Sequence, residues 1–164
     1  MNNVLKFDTI NFEKDLVIDK ELTESIYSQK ESVINLPSKI QNLQLIGDWK
    51  LEIDFNTYNV TLDGNENGIE NLGHHPSKPL KLSIYFSKTP FNQNELVNGF
   101  EFQSINLPSI KSYSRRSQLK FETNITKMIP KGIYYPILVL AEQTNNGEFK
   151  TKNAIQLGES YQML

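Results

Sequence analysis

From Gln41 to Phe55 the chain alternates, with Leu43, Leu45, Trp49, Leu51, Ile53 and Phe55 on odd positions and Asn42, Gln44, Asp48, Lys50, Glu52 and Asp54 on even ones. Only Ile46 and Gly47 interrupt the pattern. A period of two places the apolar groups on one side of a pleated strand, so this stretch predicts a long strand with one wet and one buried face. The same alternation returns in Leu80, Leu82, Ile84 and Phe86, and again in Leu119, Phe121 and Ile125. Repeated half-buried strands predict an all-β protein, built as an antiparallel β-sandwich.

The strands expected from pattern and turn signals are Val33–Leu36, ending at Pro37; a long strand from Leu43 to Val60, with a break at Asn56; then Leu80–Ser87, Gly99–Ile105, Gln118–Thr126, Ile133–Glu142 and Glu148–Leu157. Ile133 to Ala141 is apolar on both faces and belongs at the centre of a sheet. Pro136 there demands a bulge or a missing ladder bond. Asn145-Asn146-Gly147 predicts a hairpin turn, because Asn and Gly tolerate the positive φ of tight turns.

Two segments stand apart from this frame. Residues 1–32 carry short apolar bursts and then a charged run, with Leu22 and Ile26 too sparse to make a wide helical face, and they read as an N-terminal arm or docking segment. Residues 63–79 are rich in Gly, Asn and Pro and predict a long loop. Residues 33–158 then form the sandwich and 159–164 a C-terminal tail.

Pro130-Lys131-Gly132 followed by Ile133-Tyr134-Tyr135, a hairpin and a last strand resembles the corner before the penultimate strand in bacterial immunoglobulin-like domains of the fibronectin III and CARDB type. The resemblance covers residues 33–158 as a strand pattern and is specific at that corner. It implies an Ig-like sandwich with Greek-key connections, in which a Tyr locks the turn, and it implies no activity.

Composition narrows the function classes. At 164 residues and 38% hydrophobic content the chain can bury one core. A net charge of −2 supplies no excess of cations for a phosphate backbone, which argues against nucleic acid as a partner. Cys is absent, so thiolate metal sites and Cys nucleophiles are excluded. The first twenty residues lack the apolar run of a signal peptide, and no stretch approaches the roughly twenty apolar residues of a membrane-spanning helix. The expected location is the cytoplasm, or an assembly exported without a signal peptide.

Candidate chemistry is thin. Asp63-Gly64-Asn65-Glu66-Asn67-Gly68 has oxygen side chains at alternate positions before a glycine, like the opening of a calcium loop. His74 stands where a bidentate Glu would close the shell, so Asp63, Asn65 and Asn67 make at most a weak calcium site, and otherwise a plain turn. His74 and His75 are the only histidines, and neighbours in a loop rarely converge on one metal. Ser77 and Glu70 lie near them in sequence, without any nucleophile-elbow motif. Lys111 to Lys120, with Arg115 and Arg116, is a local basic stretch that reads as a solvated loop or as a contact for phosphate, an acidic partner or lipid headgroups. Trp49, Tyr58, Tyr85, Tyr134 and Tyr135 would line a sugar platform if exposed, but Trp49 shares its strand's apolar face and belongs to the core.

No cofactor and no catalytic set is expected. The reading is a non-catalytic Ig-like module or accessory subunit that contacts a protein partner or itself, using Phe7, Phe12 and Val17 of the arm together with Arg115 and Arg116. The alternative is a small carbohydrate-binding or calcium-assisted ligand-binding module.

Overall fold

The computed structural model describes residues 30–92 and 96–164, so Phe7, Phe12 and Val17 lie outside the described residues. Within them the fold is all-β, an Ig-like antiparallel sandwich. One layer is a six-stranded sheet. It takes β1 (Ser32–Ile34), β7 (Val97–Leu107), β6 (Leu80–Ser87), β10 (Gly132–Gln143) and β11 (Phe149–Gln156) in that spatial order, and β12 (Tyr161–Met163) also pairs β10. The other layer is two three-stranded ladders, β2 (Leu43–Ile46), β5 (Gly68–Asn71) and β8 (Ser114–Ser117), and β3 (Lys50–Asp54), β4 (Asn59–Asp63) and β9 (Lys120–Asn124).

The two ladders are one kinked sheet. Ile46 opposes Gly68 and Lys50 opposes Asp63, so residues 43–54, 59–71 and 114–124 are three long strands, each interrupted at the same level. Each interruption holds a residue with positive φ: Gly47 (77°), Asn65 (50°) and Gln118 (56°). The hairpin β6–β7 lies in the six-stranded sheet, while the long strands before and after it lie side by side in the other, a Greek-key return.

Four expectations are corrected here. The strand read as Leu43–Val60 holds β2, β3 and the start of β4, and the break read at Asn56 is a full hairpin turn that reverses the chain: Phe55 to Tyr58 turn it, the Asp54 carboxylate accepts from the Asn56 N–H at 2.9 Å, and Tyr58 takes φ 54°. The loop read as 63–79 contains β5, hidden because Gly68 carries no side chain to show a pattern. Residues 114–117, within the stretch read as a basic loop, are strand β8. The tail 159–164 includes β12, which pairs Gly132 with Met163, and Met163 is buried.

The main core lies between the sheets, where Leu80, Leu82, Ile84, Phe86, Phe102, Leu138 and Leu140 meet Leu43, Leu45, Trp49, Val60, Leu62 and Ile69. Trp49 is 6% exposed, as its strand face requires. Leu51 and Ile53, on the same face, are only half-buried and Phe55 is exposed, because the long strand runs past the edge of the core. Along β10 alternate residues serve two clusters. Ile137 and Val139 pack with Ile34, Val97 and Ala154 on the outer face of the six-stranded sheet, beneath Leu36 and Phe91. Residues 35–42 carry the chain from β1 across that face to β2, so β10 is central and covered on both sides.

Pro136 sits where a ladder bond is not needed. Its C=O accepts from the Leu157 N–H at 2.8 Å, so its nitrogen points to the same side of β10. On that side the pairing with β11 ends at Ile137–Gln156, and the pairing with β12 begins at Tyr134–Tyr161. The chain turns between them at Gly158, φ 73°. The ring thus fills the gap between two partners, and the only bulge in the β10–β11 pairing lies elsewhere, between Leu140 and Ala141.

Candidate interaction surfaces

The corner before β10 has the expected geometry. The Tyr134 hydroxyl donates to the Pro130 C=O at 3.0 Å, and its ring, 4% exposed, meets Phe86 and Phe100 edge-on. Gly132 takes φ 158°, a backbone conformation that side chains rarely adopt, and a Cβ there would stand a tight 3.2 Å from the Tyr134 ring. Burial raises the Tyr134 pKa.

Asp63, Asn65 and Asn67 form the kink in the middle strand. The Asp63 carboxylate accepts from the Asn65 N–H at 2.7 Å, the Asn67 N–H donates to the Gly64 C=O at 2.8 Å, and the Asn67 amide donates to the Asp48 C=O at 3.1 Å. The last bond ties this kink to the kink of the neighbouring strand. Gly47 beside it takes φ 77°, where a side chain is strained, and a Cβ there would fall 1.8 Å from the Asn67 side-chain oxygen and displace that amide.

Arg115 and Arg116 stand on β8, whose backbone runs along the rim of the kinked sheet. Alternation sends them to opposite faces: Arg115 pairs Glu70 at 3.3 Å, and Arg116 donates to the Ser109 C=O at 3.3 Å. The pair is therefore divided between an ion pair on one face and a loop clamp on the other. The sequence shows two adjacent cations, whereas their strand register separates them.

His74 and His75 lie on the 72–77 loop, both exposed, and the His74 ring meets the Tyr113 ring edge-on at 5.3 Å and bonds its hydroxyl. Sequence reasoning missed Asn71, which shapes that loop. Buried to 3% exposure, its amide donates to the C=O of His75, Ile110 and Lys111, and its side-chain oxygen accepts from the Gly73 N–H. No local pattern distinguishes such an Asn from a turn former. Below the loop, an open hollow of about 260 Å³ reaches the Glu142–Lys152 ion pair at 3.2 Å. Beside it the side-chain oxygen of Asn153, on β11, accepts from the Leu45 N–H of β2 at 2.9 Å and links the two sheets.

The five candidate platform aromatics do not share a surface. Trp49 and Tyr134 are core, Tyr58 is exposed at a hairpin tip, and Tyr85 and Tyr135 are half-buried on the six-stranded sheet. Tyr85 borders an open groove of about 460 Å³ with Val33, Leu36, Pro37 and Phe149. Burial, and then the carboxylate of Glu101, push the Tyr85 pKa up to about 12. An unfolded Tyr ionises near 10, so the unfolded chain loses its proton first. The contribution of Tyr85 is fully present below about pH 10 and is lost as pH rises toward 12. Urea melts are expected to show stability falling across that window, with a shallower fall in Tyr85→Phe; identical slopes in the two proteins would refute the coupling.

No helix occurs among the described residues that is long and apolar enough to cross a membrane. The architecture and these surfaces define an antiparallel Ig-like β-sandwich. No known family model matches the chain, and no curated protein is similar to it.

Proposed function

We propose that this sandwich works by contact, as a non-catalytic module or accessory subunit within a larger protein assembly. The observation that carries this reading is the rim of the kinked sheet, residues 114–124, which pairs no further strand among the described residues and, over β9, sets exposed Lys120 and Glu122 on one face and half-buried Phe121 on the other. Such an edge can accept another strand through main-chain bonds, with side-chain pockets setting register. The N-terminal segment, with Phe7, Phe12 and Val17, is the proposed second contact. The Tyr134 bond to Pro130 supports the likeness to bacterial Ig-like domains of the fibronectin III and CARDB type.

Deleting residues 1–29 tests the role of the arm, since the cut precedes β1. The truncated chain is expected to melt within a few degrees of the full chain and to lose its partner in affinity capture from the producing cells. A truncated chain that no longer folds would make the segment part of the sandwich and remove the arm from the proposal. A ligand-binding role would rely on the groove between Tyr85 and Phe149, where Asn35 and Thr151 add polar groups beside the aromatics. A glycan panel and a thermal shift with calcium separate that second reading from the first.

A further inference from the structure

The rim strand β9 has a fixed backbone orientation. The Leu119 C=O accepts from the Gly64 N–H at 2.9 Å, and the Ile125 N–H donates to the Tyr58 C=O at 2.8 Å. The β4–β9 register between them is unbroken. Alternation in an antiparallel ladder therefore turns residues 119, 121, 123 and 125 toward β4, and the N–H and C=O groups of Lys120, Glu122 and Asn124 away from it. Gln103 donates to the Asn124 C=O and closes that end of the rim. At the other end the positive φ of Gln118 bends the strand away. Between these stops lie Lys120, Phe121 and Glu122. Lys120 and Glu122 are exposed on one face, 3.4 Å apart, and Phe121 is half-buried on the other.

We propose that β9 is a self-complementary edge, which pairs antiparallel with β9 of a second copy about a two-fold axis through Phe121. The register follows from the orientation. Only residues whose main-chain groups point outward can form the hydrogen-bonded pairs, so Lys120 must face Lys120 or Glu122 of the second copy, or Glu122 must face Glu122. Lys against Lys and Glu against Glu set like charges directly opposite, which destabilises a pair. Lys120 against Glu122 occurs twice by symmetry, forms four main-chain bonds, and sets the two Phe121 rings side by side in a non-hydrogen-bonded pair, where side chains approach most closely. The interface is isologous, as a closed dimer requires.

This contact is one case of the role proposed above, and it does not use the N-terminal segment. Its failure would leave arm-mediated capture untouched, and failure of capture would leave this pairing untouched.

Because the chain has no cysteine, single replacements in the full-length protein report one contact each. Cα atoms in a non-hydrogen-bonded pair stand about 4.5 Å apart, within disulfide reach. Phe121→Cys is expected to oxidise to a disulfide dimer at least tenfold faster than Thr123→Cys, whose opposite residue is Leu119, or than Lys50→Cys. Charge reversal supplies a second readout by sedimentation equilibrium. Lys120→Glu and Glu122→Lys are each expected to be monomeric alone and to form a heterodimer when mixed, since each then meets its opposite. Glu122→Pro removes an N–H that faces away from β4, so this variant is expected to stay folded by circular dichroism and to lose the dimer. Equal oxidation at 121, 123 and 50, or no heterodimer from the mixed variants at millimolar concentration, would overturn the pairing.

Discussion

Truncating Phe86 to alanine is expected to destabilise the sandwich by about 3–5 kcal/mol, the cost of removing a fully buried aromatic and leaving a cavity. The side chain is 0% exposed, and its ring meets Phe102 at 5.1 Å, Tyr161 at 5.9 Å and Tyr134 at 6.2 Å between centroids, all edge-on. Three aromatic neighbours anchored on β7, β10 and β12 cannot all collapse into the space. Leu51→Ala is expected to cost less, since Leu51 is half-buried beyond the centre of the core, and Lys50→Ala should stay within about half a kcal/mol. Urea melts rank the three. An effect of Phe86→Ala no greater than that of Leu51→Ala would mean that the core is centred elsewhere.

Gly68→Ala is expected to cost about 3 kcal/mol or more, at or beyond the upper end of ordinary overpacking. A Cβ at residue 68 would lie 1.8 Å from the Arg116 C=O oxygen and 2.9 Å from the Ser117 Cα. Both obstacles are main chain, so no rotamer change relieves them, and β5 and β8 must part. Hydrogen exchange should then quicken at residues 68–71 and 114–117 while β6 and β10 stay protected. Gly158→Ala is the comparison. Nothing lies within 4 Å of its Cβ position, and its penalty comes from φ 73° alone, about 1–2 kcal/mol. Equal losses at the two sites would show that the strands tolerate the added atom.

Elements whose two faces differ were legible from local pattern. Leu80 to Phe86 alternates because β6 has one face on the main core, and it was found with its bounds intact. The double-faced run from Ile133 to Ala141 identified β10 as central, since strands flank it on both edges and side chains cover both faces. The Tyr134 corner was legible because a Pro-x-Gly turn and a following aromatic are neighbours in sequence. Where a strand is short and made of residues with other uses, the pattern is silent: β5 begins with Gly68, and β8 is Ser-Arg-Arg-Ser.

The candidate sites divide in the same way. Asp63, Asn65 and Asn67 were visible as oxygen-bearing side chains whose bonds to Asn65 and Gly64 are local, yet the Asn67 bond to the Asp48 C=O depends on a neighbouring strand, nineteen residues away, that bends at the same level. Arg115 and Arg116 were visible as charge, but register alone sends one to Glu70 and the other to Ser109.

The sequence by itself determined the all-β class, the position of Trp49 in the core, the hairpin at Asn145 to Gly147 and the corner at Pro130, because each rests on residues within a few positions of one another. Only the tertiary structure decided that three strands kink together, that Pro136 falls in the gap between β11 and β12, and that residues 114–124 end a sheet with Lys120 and Glu122 turned outward. Those features depend on which strands become neighbours. A strand's side-chain alternation states which face is buried, whereas the identity of its partners, and hence which main-chain groups remain on the rim, is fixed by pairings between residues far apart along the chain.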